Sequence, residues 1–325
     1  MSEILIPMSR GRKFGYIDEC GEFVIPPRYN HAFHFYEDRA LVEKRVRFSR
    51  DRVVYGFIDS RGRRVTGFKY RQAFSFSEGL APVIPESSRS DFWGFVDLQG
   101  SMAVKPRFAM AGGFFSGLAR VQVGRKWGFI DKAGKTPIPP AFDSAGDFSC
   151  GLAPVRRTHG EKWGYIDRGG VMRIPALYDW AESFCENIAR INRGGKWGFI
   201  DLQGGVVFRP VLGYAGNFSE GMAAINMERT FDEIFHEMRG GKWGYIDNRG
   251  RGAIDANFDE AGPFRQGLAR VQLFGKWGYI DRRGEMAIDP LYEEATDFTG
   301  PVALVWKQER QLLLDRQGTE IEIQE

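Results

Sequence analysis

Histidine is scarce in this chain, with four residues among 325. Imidazole acid–base chemistry and histidine-rich metal sites have little to draw on. The three cysteines, Cys20, Cys150 and Cys185, are odd in number and widely, irregularly spaced. They make neither a disulfide framework nor a zinc knuckle, and fit a reducing compartment or buried thiols. An excess of one charge is also missing: 45 Lys and Arg stand against 42 Asp and Glu, a net of +3. That balance gives no sign of nucleic acid or a membrane surface as partner. No apolar run approaches the length of a membrane-spanning helix. Residues Met1 to Pro7 carry no basic stretch ahead of an apolar one, so no secretory signal is visible. The expected location is cytoplasmic, with export by a dedicated secretion system left open.

What is abundant is glycine (41) and phenylalanine (27), within a chain that is 43% hydrophobic. Many turns and a large aromatic core follow. Both come from a repeat. An aromatic-Gly-aromatic-Ile-Asp block, with Val96 for Ile in the third copy, recurs eight times, from Phe14–Asp18 to Trp277–Asp281, and a decayed ninth copy ends at Asp315. Successive Asp residues are 41, 38, 34, 36, 34, 46, 34 and 34 apart. Counting from each Asp, Gly stands at +3 in every copy, and Ala at +14, Phe at +17 and Ala at +22 in all eight full copies. The stretch from +1 to +24 never changes length; all insertion lies before the next aromatic-Gly pair. A unit that is rigid over one stretch and elastic in one connection is a packed supersecondary element with one free loop. Residues 1–325 therefore read as a single array. Its repeats start near 13, 54, 92, 126, 162, 196, 242 and 276, with a partial ninth at 310–325 and an N-terminal cap strand at 3–9.

Each unit reads as three short strands. The first is Trp-Gly-Phe-Ile-Asp, aromatic and β-branched. Asp-x-x-Gly then supplies a tight turn, since Asp accepts a backbone N–H at the turn start and Gly tolerates positive φ. The second strand often carries Pro at +9 (Pro27, Pro106, Pro140, Pro210, Pro290), which ends ladder pairing or sits at an edge. The stretch +11 to +20 reads as a compact connection, and Leu-Ala-x-Val as the third strand. A helical period appears only in the largest insertion.

The motif Lys-Trp-Gly-[Phe/Tyr]-Ile-Asp-x-x-Gly, with Phe-Ser-x-Gly-Leu-Ala-x-Val, resembles the bacterial WG (KWG) repeat family from Arg12 to Asp315. Lys126, Lys162, Lys196, Lys242 and Lys276 supply the lysine, whereas Phe14 and Tyr55 replace Trp in the first two copies. The resemblance implies an all-β repeat fold and a binding role, with no specific activity. With three strands per unit, the expected architecture is an open superhelical stack of antiparallel hairpin units. A closed, propeller-like ring is the alternative, because the two terminal fragments together would complete one unit.

Candidate chemistry is thin. The repeated Asp reads as a turn-former. Lys132–Thr136 lacks the spacing of a phosphate loop, and His31-x-x-His34 has no companion ligands. The row of tryptophans reads as core; outside that register, Trp180 and Trp306 are the candidates for an aromatic cage around a sugar or amine. No cofactor is expected. Charge, however, is uneven within the unit. The six positions after each Asp hold 12 basic and 4 acidic residues, while +12 to +20 hold 14 acidic and 2 basic. Stacked copies would give a basic edge at the turns and an acidic edge opposite. Two insertions stand out. One is basic, with Lys44, Arg45, Arg47, Arg50 and Arg52. The other places Phe231, Ile234, Phe235 and Met238 at i, i+3, i+4 and i+7, a helical stripe. The expected function is a non-enzymatic module offering these loops and charged edges to a protein partner. A carbohydrate- or amine-binding module is the alternative.

Overall fold

The structure, a computed structural model, describes residues 4–46, 52–88, 90–228, 230–232 and 237–324, and of 230–232 and 237–239 the backbone alone. The described residues contain strands and no helix, and no sheet closes into a barrel. The chain divides into two compact units, Met1–Glu161 with Ile166–Val171 and Gln324–Glu325, and Lys162–Tyr165 with Met172–Ile323.

The first unit opens with a three-stranded sheet of Ile6–Arg10, Lys13–Ile17 and Phe23–Tyr29. Ile6–Arg10 is the first strand of the described residues. A seven-stranded sheet follows, from His31–Tyr36 to Met102–Phe108; in it two meanders join through the single pairing of Tyr55 with Tyr70. A four-stranded sheet, Met110–Phe115, Leu118–Val123, Lys126–Asp131 and Ile138–Phe142, comes next. The second unit repeats that plan. Its sheet of Trp180–Ala181, Ile188–Arg193, Lys196–Asp201 and Val206–Leu212 is followed by three more, ending in Glu320–Glu322.

The regular sheet thus has four strands, where the sequence reading counted three. The additional strand lies in the supposed connection. Ala at +14 pairs with the +24 residue of the next strand, as in Ala111 with Val121, Ala181 with Ile191 and Ala215 with Ile225. Ala at +14 is small, and buried in six of the eight copies, so it fits between sheets where a larger side chain would hold them apart. Four antiparallel strands are the number in a propeller blade, which removes the strand-count objection to that kind of unit.

The Trp-Gly pair has a steric origin. In sheets that keep the Trp-Gly pair the last strand bulges over the glycine, as the register shift between Trp127 and Phe129 marks. A Cβ on Gly128 would lie 2.6 Å from Ile138 O and 2.6 Å from Pro140 N; Gly94, Gly198 and Gly278 are in the same position. Only glycine admits that backbone approach. The +9 prolines lie in this last strand, at the sheet edge, where no ladder hydrogen bond is lost.

The core is built from one contact repeated. The aromatic at −2 packs on the +17 Phe of the same copy in all eight copies, for example Phe129 on Phe148 and Phe199 on Phe218, with ring centroids 4.7–5.0 Å apart. Such a pair contributes about 1 kcal/mol beyond its buried area. Where the −2 residue is Tyr, the hydroxyl donates to a backbone carbonyl of the next sheet: Tyr16 to Phe33 O, Tyr245 to Gly262 O, Tyr279 to Thr296 O. Burial keeps these phenols well above their ordinary pKa.

The Asp-x-x-Gly turns behave as their chemistry requires. One Asp oxygen accepts the N–H groups at +2 and +4, as Asp247 does from Arg249 and Arg251, and the +3 Gly N–H closes the turn on the Asp carbonyl. These hydrogen bonds hold the Asp247 carboxyl below the usual carboxylate range.

Candidate interaction surface

An antiparallel meander has two ends, and its connections alternate between them. At one end lie the Asp-x-x-Gly turns and the turns around +19. This end is bonded to itself. Glu78 accepts the N–H of Gly117 in the next sheet (2.9 Å). Glu186 accepts from Glu220 and Gly221 (2.6 and 2.7 Å), and Glu220 accepts from Gln266 and Gly267 (2.7 and 2.9 Å). Basic turn residues join the same end. Lys132 Nζ lies 3.3 Å from Glu78, and Arg282 donates to Glu220 O. The acids at +19 therefore meet the basic turns, and the expected separation into opposite charged edges does not hold.

The other end carries the hairpins between second and third strands, with every insertion. Here the lysine of Lys-Trp-Gly reaches the acid at +12. Lys126 pairs with Asp143 (2.8 Å), Lys276 with Glu293 (2.7 Å), and Lys162 and Lys242 with Asp179 and Asp259. The same acid accepts a loop N–H: His159 on Asp143, Gly194 on Asp179, Phe274 on Asp259. The lysine and then the N–H hold Asp143 and Asp179 below the ordinary carboxylate range. The acidic stretch thus ties down hairpins, and each exposed ion pair adds about 0–1 kcal/mol.

One hairpin breaks the pattern. At the first position of the tight turn stand Gly11, Gly124 and Gly194, all at positive φ, and in the last copy Gln308. The corresponding residue in the Leu273–Lys276 turn is Phe274, with φ +52° and 95% exposure. A bulky residue in that region is strained, and an aromatic ring in water makes no use of its area.

Sequence reasoning also missed the arginines at +23. Arg120 lies over Trp127, donates to Ala145 O (3.0 Å) and pairs with Asp147 (2.8 Å). Arg270 does the same with Trp277, Ala295 O and Asp297. Arg190 covers Trp197, with its guanidinium carbon 4.5 Å from the ring centroid, and pairs with Glu182. Burial pushes the Asp147 carboxyl up, and Arg120 opposes it. The available signal was arginine at +23 in three of the four copies without an insertion.

The residues singled out in the sequence are dispersed. Phe231 and Met238 face each other across a short hairpin of Thr230–Asp232 and Glu237–Arg239, so the described part of this insertion is β and the helical stripe is corrected. Ile234 and Phe235 lie outside the described residues, as do Arg47 and Arg50. Arg52 pairs with Glu86, and the Arg45 N–H donates to Asn30 Oδ1. Lys44 alone joins a recess, of about 180 Å³, with Arg28, Tyr29, Gly62, Arg64 and Phe68. Trp180 is 47% exposed beside buried Trp163, and its Nε1 donates to Glu182. Trp306 is half-buried in another sheet, opposite Glu294, so these two tryptophans do not form one cage. His31 packs edge-on between Phe14 and Phe33.

The family described as WG containing repeat matches residues 14–45, 55–84, 93–127, 127–158, 163–197, 197–229, 243–277 and 277–307. No curated protein matches the chain. Among solved structures, a eukaryotic initiation factor is similar over 98% of this chain and 95% of its own, at 10% identity and a TM-score of 0.65. Virginiamycin B lyase from Staphylococcus aureus is similar over 84% and 97%, at 12% identity and a TM-score of 0.37. The Neurospora crassa Pan2 WD40 domain is similar over 74% and 86%, at 9% identity and a TM-score of 0.37.

Proposed function

Since this chain belongs to the WG-repeat family, an array of small β-sheets, we propose that it is a non-enzymatic interaction module that docks a protein partner on its hairpin end. Phe274 carries this reading. It holds a strained backbone and an exposed ring at a position where three of the four sister turns use glycine. Such a residue serves something outside the fold, and aromatic anchors dominate the energetics of protein interfaces. Met227, 48% exposed in the insertion from Asn226 to Arg239, offers a second apolar contact at the hairpin end of another sheet.

The carbohydrate or amine alternative finds less support. An amine cage needs a free carboxylate near its aromatic walls, and Glu182 beside Trp180 is already engaged by Arg190.

Affinity capture from the native host, comparing the intact chain with Phe274→Gly and with a chain lacking residues 228–239, tests the proposal. A partner retained by the intact chain and lost with Phe274→Gly is the expected result. Identical partners for all three chains, or none for any, would remove the docking role.

A further inference from the structure

A second surface feature stands apart from the docking reading and does not depend on it. The recess at Arg28, Lys44, Arg64 and Phe68 lies in the first unit, between the Phe23–Tyr29 strand and the segment from Gly62 to Phe68. Three cations line it and no carboxylate does. Elsewhere several basic side chains meet acids: four of the five Lys-Trp-Gly lysines, the three +23 arginines and Arg52 do. Among the described residues, no ion pair involves Arg28, Lys44 or Arg64.

The cations are also positioned. Arg28 donates from Nη2 to Gly62 O (2.6 Å) and from Nε to Tyr29 Oη (3.0 Å), so its fork is fixed. Lys44 Nζ and the Arg64 guanidinium both lie over the Phe68 ring, 5.4 and 5.6 Å from its centroid. Gathering like charges in one recess is unfavourable unless something offsets it, and an aromatic face is a weak offset.

The repeat supplies an internal control. Arg107 occupies the position of Arg28 one pair of copies later and likewise donates to a turn carbonyl, that of Gly134. There, however, Val123, Thr136 and Pro140 stand where Lys44, Arg64 and Phe68 stand here. The arginine-to-turn bond therefore belongs to the framework, whereas the other two cations and the aromatic platform are particular to this place.

We propose that this recess is a binding site for a phosphate monoester. A phosphoryl group carries nearly two charges and three acceptor oxygens, which suits three cationic donors. A single carboxylate would leave most of that charge unmatched. Guanidinium forks match phosphoryl oxygens in geometry, and charge-assisted bonds of this kind are the strong ones.

Isothermal titration of the full chain with inorganic phosphate, O-phosphoserine and aspartate, at fixed ionic strength, tests it. Saturable one-site binding of the two phosphates and not of aspartate is expected. Lys44→Gln and Arg64→Gln should each weaken it about tenfold, as loss of one charge-assisted bond implies. Phe68→Leu changes no charge, yet should weaken binding by freeing Lys44 and Arg64. Arg61→Gln, outside the recess, should not matter. Should Phe68→Leu fail to fold, exposed Lys44 still provides the test. A phosphoserine peptide that binds more tightly than free phosphate assigns the site to a modified protein side chain; equal affinities assign it to small phosphates. Absence of saturable phosphate binding, equal binding of aspartate, or an equal loss in Arg61→Gln would overturn the proposal.

Discussion

The sheets containing Lys126–Asp131, Lys196–Asp201 and Lys276–Ile280 differ from those containing Trp93–Asp97 and Trp243–Asp247 in two linked features. In the first group the preceding hairpin is tight, and position +23 is Arg120, Arg190 or Arg270, whose guanidinium covers a half-buried Trp. In the second group the hairpin is expanded, +23 is Pro82 or Ala224, and the Trp is fully buried with a ring beside it: Phe74 stacked on Trp93, Tyr214 against Trp243. One framework thus covers its tryptophan in two ways, and in these sheets it lengthens its loops only where the arginine is absent. Loop variation is segregated from the sheets that carry the half-buried ion pairs.

The framework beneath that difference should be the most sensitive to change. Gly128→Ala forces a Cβ into the backbone of the edge strand. It should cost about 3 kcal/mol or more in denaturant unfolding, the range of severe core disruption. Gly56→Ala, where the nearest atom is Gly67 O at 3.0 Å, should cost about 1 kcal/mol. Equal losses would show that the strand does not press on the Trp-Gly glycine.

Next in size is the arginine cover. Arg190, with only 12% of its side chain exposed, is the most enclosed of the three. Arg190→Met leaves Glu182 without its ion pair and should cost about 2–3 kcal/mol, toward the lower end for breaking a buried pair. Arg316→Met, on an exposed turn, should stay within about 0.5 kcal/mol. A neutral Arg190→Met would reduce the two kinds of sheet to a difference of loops alone.

The hairpin tethers should appear in the pH dependence. Asp143, Asp179, Asp259 and Glu293 are held below their ordinary values chiefly by their lysines, and Asp247 by turn N–H groups. A depressed folded pKa contributes stability that is complete above the unfolded value and lost as pH falls through the folded one. Asp147 runs the other way, since burial raises it; its contribution is complete at low pH and lost as pH rises. Asp59, Asp315 and Glu320 are held low as well, and eight groups against one give a net loss on acidification below about pH 4. Lys162→Met should flatten this acid limb in thermal melts. An unchanged limb would separate the tethers from stability.

The Asp-x-x-Gly turns, the Leu-Ala-x-Val strand and the buried aromatics were legible because each follows from local chemistry repeated in every copy. The first strand of each sheet was not. In several sheets it pairs over two residues, as at Tyr214–Ala215, too few to show an alternation. The insertion from Asn226 to Arg239 misled for a related reason: Phe231 and Met238 are seven apart as strand partners across a hairpin, a spacing that two turns of helix would share. The recess could not be read from sequence, because Arg28 in the three-stranded sheet meets Lys44 and Arg64 of the seven-stranded sheet only once the two sheets pack. Phe274 was within reach, as the exception in a column of mostly glycine turn residues.

The smallest effect bears most directly on what the hairpin end is for. Phe274→Gly removes a side chain from a left-handed backbone position while leaving the N–H that donates to Asp259. Denaturant unfolding of this variant should show a gain of about 1 kcal/mol, the strain of a non-glycine residue in that region. A loss of stability would mean that Phe274 serves the fold itself, and the case for an anchor directed at a partner would fail.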